Sequence, residues 1–335
     1  MDAPQYNNDE VETMTIKAVN WLKQEDGYSA TFYKQQKEQM WFEDEIPVSE
    51  DKNRWFDMTE DEKRAFKLAL GGLTLLDTQQ GEMGMPLIAL HTNGMQKKKV
   101  MNLFAMMEDV HSKSYSHIFQ TLCKEQEIED IFDWVETNPN LQYKARRITD
   151  YYRALLKPEV TKQELYMAMV ASVCLETYLF YSGFFFPLYL KGQGRMTRSG
   201  EIIKLICRDE AIHGLFVGTV AQEVYKELTA EEQEACDKEM MELILDLYSN
   251  EVEYTGLVYD PIGLTEDVLK YVRYNANRAL LVLGKEAWFP EEDVNPIVLN
   301  GMKNTTDNYD FFSQKGNGYV KPTNIVRMTD EDFVF

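Results

Sequence analysis

The chain has 335 residues, 44% of them hydrophobic, and a formal charge of −21 from 35 basic and 56 acidic residues. This length and composition suit one large domain or two ordinary ones with a substantial core. We do not expect so acidic a chain to bind DNA, RNA or an anionic membrane directly.

The hydrophobic spacing predicts helices along almost the whole chain. Capping boxes of the form Thr-x-x-Glu open three of them, at Thr59, Thr161 and Thr229. We find no strand-like run and no glycine-rich phosphate loop, so the pattern predicts an all-α protein. In chain order the predicted helices cover 15–23, 28–41, 59 through 77, 100–118, 128–137, 141–156, 165–190, 197–225, 229–257 and 265–283.

Residues 165–190 are apolar over a length that would span a bilayer. The segment also contains Glu176 near its middle, together with serine, threonine and several tyrosines. A helix that is apolar on all sides is equally typical of the centre of a large helical protein. We therefore predict a buried helix rather than a membrane span.

Two short motifs share one design: Glu108 with His111, and Glu210 with His213. Residues three apart lie on the same face of a helix, so each pair directs a carboxylate and an imidazole to one point. A single pair of this kind is common by chance. Here two of the chain's four histidines fall in the pattern, on apolar faces where an unpaired carboxylate is costly.

Two further acids continue apolar helical stripes. Asp77 follows Phe66, Leu70 and Leu73, and Glu176 lies in the buried helix. The spacing from Asp77 to Glu108 is 31 residues, and that from Glu176 to Glu210 is 34, so each half of the chain repeats the same plan. This set of acids and histidines on four helices predicts a ferritin-like bundle with a dinuclear metal site in its core.

Tyr115 lies one turn beyond His111 on the same helical face. A tyrosine there is either an ordinary core residue with a bonded hydroxyl or a group that a neighbouring metal pair oxidises. The sequence alone allows both interpretations.

The four cysteines are far apart and form no C-x-x-C motif, and residues 1–10 do not resemble a signal peptide. We therefore expect free thiols and a cytoplasmic location. We divide the chain into a domain over 1–300 and a polar tail over 301–335. The tail ends in an acidic and aromatic segment that is typical either of plain disorder or of a docking peptide.

The residues around the four acids resemble the small, radical-generating subunit of class I ribonucleotide reductase, over essentially the whole chain. The resemblance is carried by Leu-Thr-Leu-Leu-Asp77-Thr, by Glu108 and His111 followed by Ser-Lys-Ser-Tyr115-Ser, by Leu-Glu176-Thr-Tyr-Leu-Phe-Tyr-Ser-Gly, and by Arg-Asp209-Glu210-Ala-Ile-His213-Gly. The chain is most similar to the class Ib branch.

The resemblance implies a role for each matching residue. It implies two manganese or two iron ions held by Asp77, Glu108, His111, Glu176, Glu210 and His213, and a stable radical on Tyr115. It implies radical transfer through Trp41, Asp209, His111 and Tyr319, and binding of the large catalytic subunit by the C-terminal residues, among them Asp332, Phe333 and Phe335. From the residues alone, Trp41 could be only a core residue, and the alternative for Asp209 is a mere surface acid.

The resemblance also implies a homodimer that makes the radical for reduction of ribonucleotides to deoxyribonucleotides, and a flavodoxin-like activator for the manganese form. Both metals suit the ligand set. Two alternatives remain open: a di-iron oxidase, desaturase or metal store on the same bundle, and a non-enzymatic helical scaffold that binds partners through its tail.

Overall fold

The computed structural model describes residues 17–303, and the regular structure within that range is helical. The all-α prediction is thereby confirmed for this part of the chain. The helices are α1 Ser29–Gln39, α2 Lys52–Phe56, α3 Glu60–Gln79, α4 Met85–His91, α5 Met95–Leu122, α6 Glu125–Thr137, α7 Pro139–Arg153, α8 Lys162–Cys174, α9 Phe180–Gly192, α10 Thr197–Lys226, α11 Ala230–Tyr259, α12 Thr265–Val282 and α13 Pro296–Met302.

Three long helices begin at the predicted capping boxes. The hydroxyl oxygens of Thr59, Thr161 and Thr229 each accept a hydrogen bond from the backbone N–H three residues on, and the glutamate there returns a bond to the threonine N–H. These reciprocal bonds satisfy amides that the first turn leaves unpaired. They therefore determine where α3, α8 and α11 start.

Within residues 17–303, two pairs of consecutive helices are joined by a π turn. Residues Gln80–Gly84 join α3 to α4, and residues Leu175–Leu179 join α8 to α9. A π turn places one extra residue in the helix and is frequent at functional sites. Both turns lie beside the cluster of acids described below.

The apolar segment Lys162–Gly192, which comprises α8, the second π turn and α9, is long and apolar enough to cross a membrane. Its most apolar window is nevertheless wholly buried inside the protein, in contact with α7, α10, α11 and α12. The prediction of a buried central helix is thus confirmed.

Close helix packing explains an unusual glycine pair in the middle of α3. A Cβ atom on Gly71 would lie 2.8 Å from a methyl group of Ile131, and one on Gly72 would collide with the hydroxyl of Tyr254. The two glycines therefore allow α6 and α11 to approach α3. The same helix also packs against α5, which brings two acid-bearing helices together.

The structure departs from the predicted elements at both ends of the described range. The helix predicted over 15–23 is wrong for residues 17–23, which form turns and irregular structure. At the other end, α13 runs to Met302 and packs against α9, although the helical pattern in the sequence stops near Ile297. The division into 1–300 and 301–335 remains a prediction, because residues 304–335 lie outside the described part of the chain.

Candidate metal centre

Six predicted site residues from four separate parts of the fold meet in the core. All six side chains are fully buried. Asp77 lies in the last turn of α3, and Glu176 lies in the second π turn. Glu108 and His111 come from α5, and Glu210 and His213 come from α10.

The ligand atoms fall into two groups that share two glutamates. The first group is Asp77, Glu108, His111 and Glu210, and the second is Glu108, Glu176, Glu210 and His213. Each shared carboxylate directs one oxygen to each histidine. Oε1 of Glu210 lies 2.8 Å from His111 Nδ1, and its Oε2 lies 3.4 Å from His213 Nδ1.

Glu108 mirrors this arrangement. Its Oε1 lies 2.8 Å from His213 Nδ1, and its Oε2 lies 3.4 Å from His111 Nδ1. Two more acids complete the ends of the cluster. Asp77 Oδ1 lies 3.5 Å from His111 Nδ1, and Glu176 Oε2 lies 3.6 Å from His213 Nδ1.

The buried atoms of this cluster are short of hydrogen bonds. Asp77, Glu108 and Glu210 each have two carboxylate oxygens without an aligned hydrogen-bond partner. Glu176 Oε2 and the Nδ1 atoms of the two histidines also lack one. The ligand atoms of each group nevertheless lie within 4.8 Å of one another, so they surround a common space. Buried polar atoms in this state are expensive unless an ion satisfies them.

Charge and ligand chemistry fit the same conclusion. The four carboxylates carry four negative charges when ionised, which two divalent cations would neutralise. Carboxylates suit manganese, and imidazoles suit iron. The residues therefore fit a dinuclear manganese or iron centre.

The cluster raises the pKa both of an acid and of a histidine among its members. Burial raises the pKa of Asp77 well above its usual range, and the charges of Glu210 and Glu108 add to the effect. Burial alone would lower the pKa of His111, but the carboxylate of Glu210 and the bond to Asp209 raise it well above its ordinary value. Both shifts show that the negative charge of the carboxylates is not compensated by the protein groups around them.

Trp41 and Asp209 also lie beside the cluster. Asp209 Oδ2 accepts a hydrogen bond from Trp41 Nε1 at 2.8 Å and lies 3.3 Å from His111 Nε2. Asp209 is fully buried, so the structure excludes the alternative of a surface acid. Trp41 is also buried, but its indole N–H donates a hydrogen bond to Asp209, so the side chain does more than pack in the core.

Tyr115 is fully buried on α5, and its hydroxyl has no hydrogen-bond partner. Burial raises the pKa of this phenol well above 10, and the charges of Asp77 and Glu210 raise it further. The phenol therefore stays protonated and lies within electrostatic reach of the cluster. The hydroxyls of Tyr166 and Tyr178 are equally buried and unpartnered, so the choice between the two interpretations of Tyr115 stays a prediction.

Sequence reasoning missed three polar residues around the cluster. Gln39 Nε2 donates to Asp209 Oδ1 at 2.8 Å, Arg208 Nη2 donates to the carbonyl of Gln39 at 2.6 Å, and Gln80 Nε2 donates to Glu176 Oε1 at 2.5 Å. The sequence contains one indication of Gln80: it lies three residues after Asp77, a spacing that places two residues on the same face of a helix. The predicted tail residues Tyr319, Asp332, Phe333 and Phe335 lie outside the described residues.

The chain is similar in sequence to a family of known proteins. Residues 18–296 match the family model for the ribonucleotide reductase small chain. The chain belongs to this family. Ribonucleoside-diphosphate reductase subunits beta of Bacillus phage SPbeta and of Bacillus subtilis are each 49% identical over 324 residues, 96% of this chain and 98% of the relative.

Among solved structures, the dimanganese(II)-NrdF of Streptococcus sanguinis is 43% identical, with a TM-score of 0.81 over 86% of this chain and 100% of that chain. These relatives confirm the predicted family, its class Ib branch and its ferritin-like fold. The buried acid and histidine groups of this chain support a dinuclear metal site, as the family leads us to expect.

Proposed function

We propose that this chain is the radical-generating beta subunit of a ribonucleoside-diphosphate reductase, and that Asp77, Glu108, His111, Glu176, Glu210 and His213 hold two manganese or two iron ions. The observation that carries the proposal is the pair of overlapping ligand groups with Glu108 and Glu210 in common. Their oxygens divide between the two histidines, which is what two adjacent ions require of shared carboxylates.

Tyr115 is the residue that we assign as the radical site. When bound, a pair of redox-active metal ions supplies the oxidising power that takes one electron from this phenol. Tyr115 would give up its phenolic proton at the same time to the buried carboxylate of Asp77, whose charge acts on the phenol, because a charged phenoxyl cation would be costly in so buried a place. Burial of the ring, together with a hydroxyl that bonds to nothing, then isolates the neutral radical from water and reductants.

Radical transfer out of the core is assigned to His111, Asp209 and Trp41, which one carboxylate oxygen connects. From there we propose transfer through Tyr319 to the large catalytic subunit, which carries out reduction of ribonucleotides to deoxyribonucleotides. Asp332, Phe333 and Phe335 would dock that subunit. We further propose a homodimer, a cytoplasmic location, and a flavodoxin-like activator for loading with manganese.

Electron paramagnetic resonance (EPR) tests this function. Apoprotein is loaded either with Mn(II), followed by the reduced activator and oxygen, or with Fe(II) followed by oxygen. A tyrosyl signal is expected, and it should vanish in Tyr115→Phe while the metal content stays the same. Tyr166→Phe is the matched control, because Tyr166 is also fully buried with an unpartnered hydroxyl but belongs to α8 and to neither ligand group.

The same experiment separates the alternatives. Bound metal without a tyrosyl signal under either condition would favour an oxidase or a metal store. Absence of bound metal in the wild-type chain, with retained partner binding, would favour the scaffold. The metal that gives the signal and supports turnover identifies the working cofactor.

A further inference from the structure

One of the four acids in the cluster is held differently from the others. Both carboxylate oxygens of Asp77, Glu108 and Glu210 lack an aligned partner, whereas Glu176 has only one such oxygen. Its other oxygen, Oε1, accepts a hydrogen bond from Gln80 Nε2 at 2.5 Å. Glu176 belongs to only one of the two ligand groups, so this bond acts on one half of the centre.

Gln80 is itself held by two further side chains. Its Nε2 atom also donates to Ser172 Oγ at 2.8 Å, and its Oε1 accepts from the hydroxyl of Tyr152 at 2.5 Å. Both amide hydrogens and the amide oxygen are thereby used. A flipped amide would turn its oxygen toward the carboxylate and would lose the bond to Glu176, because an ionised carboxylate accepts hydrogen bonds but does not donate them.

The backbone leaves space for this arrangement. A Cβ atom on Gly84 would collide with Gln80 Oε1 and would lie 2.9 Å from the ring of Tyr152. Gln80 and Gly84 are the first and last residues of the first π turn, and Glu176 lies in the second. Two irregular turns thus meet through the Gln80 to Glu176 bond, at the point where both helices depart from α geometry.

We propose that Gln80 is a positioning residue for the metal subsite formed by Glu108, Glu176, Glu210 and His213. Its amide donates a hydrogen bond to Oε1 of Glu176 and leaves Oε2 facing His213. Tyr152 holds the oxygen of the same amide by donating a hydrogen bond to it. The subsite that contains Asp77 and His111 does not include Glu176, so Gln80 does not position its ligands. The inference rests on the proposed dinuclear centre.

Substitutions around a metal ligand typically cost 10–100-fold in affinity. We therefore expect Gln80→Met, which keeps the length of the side chain and removes its hydrogen bonds, to weaken one of two Mn(II) equivalents by about 10–100-fold. The second equivalent should keep its wild-type affinity. Titration of apoprotein with Mn(II), with free Mn(II) followed by EPR, measures both, and the spin-coupled signal of the paired ions should fall in parallel.

Gln96→Met is the matched control. Gln96 is also fully buried, and its amide donates to the carbonyls of Asn20 and Lys23 and accepts from the N–H of Glu25. It belongs to neither ligand group. The control therefore loses a similar set of buried hydrogen bonds and should bind both Mn(II) equivalents normally.

Tyr152→Phe provides a second variant if Gln80→Met does not fold, because it removes only one hydroxyl. It should weaken the same single equivalent by a smaller factor, since the amide loses only the bond that holds its oxygen. Unchanged affinity for both equivalents in these variants would overturn the assignment of Gln80. Equal weakening of both equivalents, with a loss of thermal stability equal to that of Gln96→Met, would reduce Gln80 to a structural role and would overturn it as well.

The wild-type titration keeps the two proposals apart. Failure of the wild-type chain to take up two Mn(II) ions would remove the proposed centre, and the inference with it. Two tight ions in the wild type that Gln80→Met leaves untouched would retain the centre and reject only the role of Gln80.

Discussion

Trp41 and His111, 70 positions apart in the chain, are joined through a single oxygen atom, Asp209 Oδ2. Their rings are nearly parallel, at an angle of 21° with centroids 6.1 Å apart. Burial opposes the charge of Asp209, yet the guanidinium of Arg208 and the bond to His111 lower the pKa of this carboxyl below its usual value. An anion is thus retained between an indole and a cluster histidine, in a place where an unpaired charge would be costly.

Replacement of this indole should separate radical formation from turnover. In Trp41→Phe we expect normal metal content and a normal tyrosyl signal, but reductase activity reduced to background, because the bond to Asp209 is lost. Activity assays with the large subunit and EPR on the same sample measure both. Trp55→Phe is the control, since Trp55 is also buried and packs on Phe66 outside the cluster. Full activity in Trp41→Phe would refute the assigned path.

Neutralisation of one buried acid should make the metal-free chain more stable. Asp77 has two buried oxygens without hydrogen bonds. Asp77→Asn removes its charge at nearly constant shape, so we expect the free energy of unfolding of the apoprotein to rise by about 1–3 kcal/mol. The stabilisation that Mn(II) adds should fall. Urea denaturation with chelator or with Mn(II) tests both effects.

The contrasting variant is Asp51→Asn. Asp51 is equally buried, but its oxygens accept from the N–H groups of Arg198 and Ser199 at the start of α10. The substitution Asp51→Asn should therefore destabilise the protein both with and without metal. A loss of stability in metal-free Asp77→Asn that equals the loss in Asp51→Asn would show that Asp77 is an ordinary structural acid.

An ion pair away from the centre should give the fold a defined acid sensitivity. Arg195 donates to both oxygens of Glu62, at 2.7 and 3.0 Å, and this bond lowers the pKa of Glu62 below 4.5. A lowered acid pKa adds stability above pH 4.5 that is lost as the pH falls through the folded-state value. Glu62→Gln should therefore cost about 1 kcal/mol at pH 7 and nothing in acid.

Glutamine retains the capping box with Thr59, so only the charge is tested. Denaturation curves at several pH values measure the difference between the wild type and the variant. Glu60→Gln serves as control, because the pair of Glu60 with Lys63 is exposed and should contribute nothing measurable. A difference between the wild type and Glu62→Gln that is constant with pH would contradict the assignment to charge.

The tail should be needed for docking and not for radical formation. Truncation before Thr329 removes Asp332, Phe333 and Phe335, and we expect an intact tyrosyl signal with strongly weakened binding of the large subunit. Tyr319→Phe should show the reverse pattern, with normal affinity and no turnover. Affinity measured by surface plasmon resonance, beside activity, distinguishes the two. Unchanged affinity after truncation would make the terminal residues irrelevant to docking.

The cluster was predictable because its members follow the helical period. Glu108 with His111 and Glu210 with His213 reveal a shared face by spacing alone, and Asp77 continues the stripe of Leu70 and Leu73. The predicted helices α3 and α11 also begin where capping chemistry indicates. Local patterns of this kind do not depend on distant parts of the chain.

Other features depend on contacts that the sequence does not encode locally. The π turns have no periodic signature, so neither the irregularity at Gln80–Gly84 nor the bond from Gln80 to Glu176 could be read in advance. Tyr152 reaches Gln80 from α7 across 72 positions. The segment 17–23 shows the opposite failure, in which a plausible helical pattern gives way to turns.

The apolar segment Lys162–Gly192 also has a consequence for biosynthesis. Three of the helices that enclose it, α10, α11 and α12, come later in the chain, and α12 ends 90 residues after Gly192. At about 5–20 residues per second, the ribosome needs on the order of 5–20 s to complete them. Until then, this segment has no complete apolar cover, and it is open to aggregation and to capture by chaperones.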